Sequence, residues 1–388
     1  HIDEKPPRSC PVCGADEDCF SLLEIHTEKQ DPVATDDWQC GVCSYLHHAK
    51  MPPPVCPVCS ATGGLFSPLH ASDNAIAGGN SVKSIVILGG GIAGLSAATE
   101  ARRQSPHPAI TLVSREQSLP YYRLNLTRFL AGDITEDELQ MQSQQWFEEQ
   151  AIEFVSAEAM SIDRDLKLVC LRDGRCLGYD RLVLANGAHP FIPPFPGATR
   201  NGVCVLRTIE DARSILQSLA AGIHIVCIGG GLLGLETAGA LARQGARVTV
   251  VEGFPSLLPR QLPPRAGNML RQRLEAQGMT VLCGETVKEL AGDESVQGVL
   301  LESGHLLPAE LVIVTAGVRP NSYLARQTGL TVHRGIVVDD RMTSSDPSIL
   351  AAGDVAEHRG TLYGIWPAGY AQGIVAGCNA GGGRADFS

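Results

Sequence analysis

The chain has 388 residues, of which 44% are hydrophobic and 19% are charged, and its formal net charge is −11. This composition is typical of a globular protein with two or three domains and argues against a disordered one. The negative charge without a long basic run argues against nucleic acid or an anionic membrane as a partner, and no apolar run is long enough to predict a membrane span.

The thirteen cysteines are unevenly distributed, because seven of them fall in the first 59 residues. Six of those seven form Cys-x-x-Cys pairs, which favours metal binding in a reducing compartment, here the cytoplasm, over disulfide bonds. The remaining six are scattered through apolar segments and are expected to be buried structural thiols. These six are Cys170, Cys176, Cys204, Cys227, Cys283 and Cys378.

Two Cys-x-x-Cys pairs close together predict a four-thiolate metal site. The predicted ligands are Cys40, Cys43, Cys56 and Cys59. Residues 36–66 resemble the short rubredoxin-like domain of rubrerythrins, with Trp38 before the first pair and Phe66 closing the small core. The resemblance implies iron. Zinc ribbons share the same spacing, so zinc stays open as the alternative.

Residues 1–35 contain a partial copy of this module. The sequence Cys-Pro-Val-Cys at Cys10–Cys13 repeats the one at Cys56–Cys59, but the half that should carry the other pair is absent before it. Two thiolates alone bind metal poorly, so Cys10 and Cys13 are expected to form a defective site or one completed by borrowed ligands. Residues 67–81 are small and polar and predict a flexible linker.

A dinucleotide-binding motif follows the linker. An apolar strand at 84–88 leads into a helix of small residues, and the turn between them carries three glycines, Gly89, Gly91 and Gly94. The glycines allow a pyrophosphate to approach the helix N-terminus, where unpaired N–H groups favour anions. Glu116 ends the next strand, roughly 20 residues further on, and is expected to accept hydrogen bonds from a ribose.

The same arrangement recurs later in the chain, with glycines at Gly229, Gly231 and Gly234. A helix is predicted at 232–243 and a strand at 246–251, which ends at Glu252. Two such motifs imply two dinucleotides. Glu252, with no adjacent arginine, favours NADH over NADPH because its carboxylate would repel a 2′-phosphate.

Five further segments carry a resemblance to a known family. They are Leu119–Arg123, Leu184–Ala188, Thr315–Asn321, Leu350–Asp354 and Ile365–Ala368. From about residue 82 to 382 the chain resembles the FAD-dependent pyridine-nucleotide oxidoreductases, and most of all the NADH:rubredoxin reductases and the flavin part of assimilatory nitrite reductases.

This resemblance implies roles for individual residues. FAD is expected to be contacted by Arg123 at its pyrophosphate, by Asn186 and Gly187 at a strand end, by Asp354 at its ribityl chain, and by the helix beginning near Trp366. Gly317 falls on the closing strand of the NAD-binding domain. Glu236 is expected to approach the nicotinamide and is the candidate catalytic residue.

The predicted fold class is α/β, with two three-layer Rossmann-like domains after a small metal-bound β domain. The FAD-binding domain is expected to be discontinuous, at 82–200 and 308–388, with the NAD-binding domain at 201–307 inserted between its parts.

The predicted function is transfer of electrons from NADH through FAD to the rubredoxin-type iron and on to a partner protein. The disulfide reductases of the resembled superfamily carry Cys-x4-Cys after the first glycine motif, and its peroxide reductases carry a cysteine in the region of Tyr121–Leu130; this chain has neither. A flavodiiron protein or a rubrerythrin would suit as the downstream acceptor. Two alternatives stay open: a component of a larger, nitrite-reductase-like enzyme, and a flavoprotein whose zinc module only docks a partner.

Overall fold

The structure is a computed structural model that describes residues 37–40, 46–58, 61–68 and 82–388. The predicted ligands that lie outside the described residues are Cys10, Cys13, Cys43 and Cys59. The predicted partial repeat and most of the predicted linker also lie outside them. Within the described ranges, no helix is both long enough and apolar enough to cross a membrane.

The β-strands are numbered in chain order within the described residues. They are β1 (Asp37–Cys40), β2 (Leu46–His48), β3 (Phe66–Pro68), β4 (Ser84–Leu88), β5 (Ala109–Ser114), β6 (Ile152–Ser156), β7 (Ala159–Asp163), β8 (Leu168–Leu171), β9 (Cys176–Gly178), β10 (Arg181–Leu184), β11 (Ala188–Pro190), β12 (Val203–Cys204), β13 (His224–Ile228), β14 (Arg247–Glu252), β15 (Thr280–Cys283), β16 (Val287–Gly292), β17 (Val296–Leu301), β18 (Leu306–Pro308), β19 (Leu311–Val314), β20 (Val318–Pro320), β21 (Ile336–Val338), β22 (Ile349–Ala351) and β23 (Ala356–His358).

The α-helices are numbered in the same way. They are α1 (Ile92–Gln104), α2 (Leu126–Leu130), α3 (Gln144–Glu149), α4 (Ile209–Gln217), α5 (Leu232–Arg243), α6 (Pro264–Glu275), α7 (Tyr323–Gln327) and α8 (Trp366–Ala380).

The first strands form a small antiparallel sheet in the order β2-β1-β3. Cys40, Cys56 and Phe66 are buried together in its core, and Trp38 and Val58 pack against them. Strand β3 continues to Pro68, where it pairs with Trp38 of β1. The expected end of this domain at residue 66 is therefore two residues too early.

Two five-stranded parallel sheets form the body of the chain, in the orders β22-β10-β4-β5-β6 and β12-β19-β13-β14-β15. Their central strands are apolar and β-branched, and β4 and β13 are buried along nearly their whole length. Strands covered on both faces read as continuous apolar runs, as these do. Both sheets agree with the predicted α/β class.

The expected domain boundary at 307/308 is wrong. Strand β19 pairs in parallel with β13, so it belongs to the second sheet and not to the first. All four of its residues, Leu311–Val314, are buried. The other edge of β19 pairs with β12, so both edges of the strand are hydrogen-bonded within the second sheet. The second sheet therefore extends at least through Val314, and the first sheet is completed later by β22.

Helix α8, near the C-terminal end of the chain, packs closely against α1, which follows the first strand of the same large sheet. A Cβ on Gly373 would lie 2.4 Å from the carbonyl oxygen of Ala93, and one on Gly377 would lie 2.3 Å from that of Ala97. Only glycine allows α8 to approach α1 at this distance. As a result, the N-terminus of α8, with Trp366, lies near the N-terminus of α1.

One expectation about the cysteines is wrong. Cys170 and Cys176 form a disulfide across β8 and β9, with a Cα–Cα distance of 4.1 Å. The two residues face each other directly in an antiparallel pair, which brings their side chains close. Cys227 agrees with the expectation, because it is fully buried and burial raises the pKa of its thiol to about 12.

The disulfide can be checked by mapping the protein after digestion with trypsin without reduction. Arg172 and Arg175 lie between the two cysteines, so cleavage there should yield peptide 168–172 joined to peptide 176–181. Cys227 should be alkylated singly after unfolding, which serves as the control. Recovery of Cys170 and Cys176 as separately alkylated thiols would contradict the bond.

Candidate functional site

The first glycine turn is built by backbone contacts too close for any side chain. Gly89 has φ 124°, and a Cβ on it would lie 2.1 Å from the carbonyl oxygen of Ala185. A Cβ on Gly94 would lie 1.8 Å from the carbonyl oxygen of Gly89. A Cβ on Gly91 would meet nothing within 4 Å, so the open side of the turn is there. The helix N-terminus is thus exposed to an approaching anion.

The second turn repeats this geometry. Gly229 has φ 111° and would place a Cβ 2.7 Å from the carbonyl oxygen of Thr315, while a Cβ on Gly234 would lie 2.0 Å from that of Gly229. Gly231, like its counterpart Gly91, faces open space. Both turns therefore leave room for a phosphate at one place and pack tightly at the others.

The acids that follow the two motifs have protein partners. Glu116 accepts from the hydroxyl of Tyr121 at 2.5 Å and from the guanidinium of Arg123 at 2.6 Å. Burial raises the pKa of the Tyr121 hydroxyl well above its usual range, so it stays a neutral donor. Glu252 is buried and accepts from the backbone N–H groups of Gly230 and Phe254, at 2.7 and 2.8 Å.

An arginine that the sequence did not single out contacts one of the predicted residues. Arg207 forms an ion pair with Asp354 at 2.9 Å, and its backbone carbonyl accepts a hydrogen bond from Arg123. Arg207 lies directly before the capping box of Thr208 and Asp211 that starts α4. The capping box was a readable signal for a helix start, but nothing in the sequence marked the arginine beside it.

Two asparagines join the two chain segments that connect the large sheets. The side-chain amide of Asn186 donates to the carbonyl of Asn321, and that of Asn321 donates to the carbonyl of Asn186, both at 2.7 Å. The next residue, Gly187, has φ 63°, a conformation that favours glycine. Strand β11 follows Asn186 and Gly187, strand β20 ends directly before Asn321, and the two strands form an antiparallel pair.

Two buried polar atoms near the site have no hydrogen-bond partner within the described part of the chain. They are Oδ1 of Asn186 and Nε1 of Trp366. The indole ring of Trp366 contacts the phenol ring of Tyr122 in a tilted arrangement, with 5.6 Å between the ring centroids. Buried polar groups are almost always paired in native proteins. Trp366 also lines the cavity described next, so its unpaired donor fits a polar cofactor bound there.

One cavity of about 1350 Å³ unites most of these residues. The predicted site residues in its wall are Gly91, Arg123, Gly187, Gly231, Gly234, Glu236, Gly317, Asp354 and Trp366. Gly89, Gly94 and Gly229 do not line this cavity; they allow the close backbone contacts within the two turns. Glu116 instead lines a smaller cavity of about 400 Å³. Both glycine turns thus open into one space that exceeds the usual size of a single-ligand pocket.

These features agree with comparisons with known proteins. Residues 83–373 match the family described as pyridine nucleotide-disulphide oxidoreductase. The chain belongs to this family. Residues 38–67 separately match the rubredoxin-like domain of rubrerythrin. Together the two matches confirm the resemblances and the fold class predicted from the sequence motifs.

The relatives of this chain differ in how much of their length they share with it. Rubredoxin-NAD(+) reductase of Pseudomonas putida is 37% identical over 72% of this chain and 74% of its own. Nitrite reductase (NAD(P)H) of Bacillus subtilis strain 168 is 37% identical over 76% of this chain but only 37% of its own. The crystal structure of NADH:rubredoxin oxidoreductase from Clostridium acetobutylicum has a TM-score of 0.68 and 33% identity, covering 80% of this chain and 77% of that one.

The candidate catalytic residue, Glu236, faces the cavity. Glu236 lies on the first turns of α5 and accepts a hydrogen bond from the hydroxyl of Thr127 at 3.3 Å. Burial raises the pKa of its carboxyl, and the hydrogen bond from Thr127 opposes this in part. Leu232 and Leu233, near Glu236 on the same helix, are exposed and also line the cavity. An apolar ring could therefore pack against them.

Glu236→Gln should lower the rate of flavin reduction by NADH about tenfold, because it removes a charged acceptor within reach of the nucleotide. The affinity of the original protein for NADH should also fall as the pH drops through the raised pKa of Glu236, whereas the variant should show no such step. Stopped-flow absorbance across a pH series measures both. Equal rates and equal pH profiles would contradict the role of Glu236.

Glu252→Gln tests the nucleotide preference. The glutamine keeps an oxygen that can accept from Gly230, but it loses the second oxygen that accepts from Phe254. It also loses the charge that repels a 2′-phosphate. The original protein should prefer NADH by about tenfold or more in kcat/KM, and the variant should approach equal use of NADPH. A preference for NADPH in the original protein, or an unchanged ratio in the variant, would contradict this role.

Proposed function

We propose that this chain is an NADH-dependent flavoprotein reductase that passes electrons to an iron centre in its own rubredoxin-like module. The observation that carries the proposal is the composition of the cavity wall. Gly91 of the first glycine turn, Gly231 of the second and Val58 of the cysteine-rich module all line the same space. Such a cavity lets two nucleotides and a metal site meet at one place.

The residues of the first motif would hold FAD. Its pyrophosphate would lie at Gly91 and the N-terminus of α1. Arg123 lines the same cavity and would contribute positive charge to the pyrophosphate. Trp366 has an unpaired buried donor that suits a polar ring system, and Asp354 lines the same cavity. Asn186 would act beside Gly187, which also lines the cavity. When bound, FAD can accept a hydride and release its electrons one at a time.

The residues of the second motif would hold NADH. Gly231 and the N-terminus of α5 would bind its pyrophosphate, with Glu252 at the end of the following strand. The exposed leucines at the start of α5 would cover the nicotinamide and exclude water, and Glu236 would orient it. The task of these residues is positioning, because hydride transfer needs the two rings in contact.

The cysteine module would be the electron acceptor within the chain. Cys40 and Cys56 lie in one small core, each about 1% exposed, as two ligands of a shared metal would. The hydride of one NADH carries two electrons, so it would reduce ferric iron to ferrous twice, with one proton released to solvent. A soluble redox protein, of the flavodiiron or rubrerythrin type, would then take the electrons from the module.

Thiol chemistry at the flavin is not part of this proposal. Neither α1 nor the segment Tyr121–Leu130 contains a cysteine. The disulfide between Cys170 and Cys176 lies in the hairpin of β8 and β9, and neither cysteine lines the cavity. A metal centre is the acceptor that the described cavity wall favours.

A second candidate function follows from the match to nitrite reductase (NAD(P)H), of which this chain covers little more than a third. In that case the chain would be the flavin part of a larger enzyme. The rubredoxin-like match at 38–67 favours the first candidate, because it supplies an acceptor within the chain.

The relay can be tested by anaerobic stopped-flow absorbance with one equivalent of NADH. The flavin band should bleach first, and the iron–thiolate band should follow at a rate independent of protein concentration, because the transfer is intramolecular. A silent or absent iron band would contradict the relay and make the module a zinc-bound docking element. Metal analysis of the same sample distinguishes iron from zinc.

A further inference from the structure

One hydrogen bond connects the cysteine module to the reductase. The guanidinium of Arg128, on α2, donates to the carbonyl oxygen of Pro57, which lies 71 residues earlier in the chain. Pro57 is part of the second knuckle, defined here as Cys56–Val58. The contact is therefore made by the peptide segment that carries a predicted metal ligand.

The adjacent residue extends this contact to the cavity. Val58 lines the cavity wall together with Arg128 and Leu124, and Leu124 has 47% of its surface exposed. Val58 also packs against the small core that contains the almost completely buried Cys56. The module thus presents a backbone carbonyl and one apolar side chain to the reductase, and that side chain also contacts the core of the module.

The charge of the contact suits the chemistry of the predicted metal site. A four-thiolate iron site is an anion in both oxidation states and is more negative when the iron is ferrous. A guanidinium next to the knuckle attracts this anion and favours the ferrous state, because net charge and nearby hydrogen-bond donors set the potential of such sites. The hydrogen bond is charge-assisted, which makes it stronger than a neutral one.

Other arginines of the cavity wall have carboxylates of the reductase as their partners. Arg123 pairs with Glu116, and Arg207 pairs with Asp354. Arg243, on α5, pairs with Asp133 at 3.1 Å. Arg128 differs because its hydrogen bond reaches the module. It is therefore the residue whose loss should release the knuckle.

We propose that Arg128 and the cavity wall beside it form the docking site at which the knuckle Cys56–Val58 receives electrons. This inference rests on the proposed function, since it assumes that the module holds iron. Each docking event would transfer one electron from reduced FAD to ferric iron and give ferrous iron. Arg128 is a positioning residue in this scheme, because it touches the knuckle and not the reacting atoms.

Arg128→Gln tests the docking site. Arg271→Gln is the matched control, because it removes the same charge from an arginine of α6 that pairs with Glu275 at 2.8 Å and does not line the cavity. Both variants are made in the full chain loaded with FAD and iron. The bleaching of the iron band, measured relative to flavin reduction in the same stopped-flow trace, should slow about tenfold for Arg128→Gln and less than about twofold for Arg271→Gln.

Two further readouts do not depend on turnover. In small-angle X-ray scattering, the radius of gyration should increase for Arg128→Gln, because the module leaves the cavity wall. The reduction potential of the iron should shift to more negative values, since the nearby positive charge is lost. Arg271→Gln should resemble the original protein in both measurements.

The possible outcomes separate the two proposals. If Arg128→Gln transfers electrons at the original rate, the docking site is wrong while the relay stands. If transfer slows but the radius of gyration does not change, Arg128 does not hold the module, and the docking site is again wrong. If the original protein shows no iron band that responds to NADH, the proposed function fails, and the docking inference fails with it.

Discussion

The whole site depends on backbone contacts that no side chain would permit. A Cβ on Gly94 or Gly234 would lie 1.8 or 2.0 Å from a carbonyl oxygen of its own glycine turn, and one on Gly377 would lie 2.3 Å from α1. These contacts bring strands, turns and helices closer than ordinary packing allows. Because of them, the N-termini of α1, α5 and α8 all line one cavity, where their unpaired N–H groups favour anionic ligands.

Much of this arrangement was predictable from the sequence, because it follows from local rules. The glycine spacing, the apolar strands before it and the acids after it define each dinucleotide motif, and helix α5 has the bounds that the sequence predicted. Glycines with positive φ, such as Gly89 and Gly229, carry a strong signal because few other residues adopt that conformation. The roles of individual residues toward FAD and NADH stay predictions.

The features that sequence reasoning missed all depend on contacts between distant parts of the chain. Arg207 meets Asp354 across 147 residues, and Arg128 meets Pro57 across 71. The pairing of β19 with β13 decides a domain boundary that its own residues could not reveal. The disulfide depends on the register between β8 and β9, which places Cys170 opposite Cys176. Register is set by the fold as a whole and is not visible in cysteine spacing alone.

The proposed function requires electrons from NADH to reach iron in the cysteine module of the same chain. Electron paramagnetic resonance of the FAD-loaded protein, frozen before and after anaerobic addition of NADH, tests this directly. We expect a high-spin ferric signal that NADH removes in the FAD-loaded protein and leaves unchanged in protein stripped of FAD. A ferric signal that persists after the flavin is reduced, or a module that holds only zinc, would contradict it.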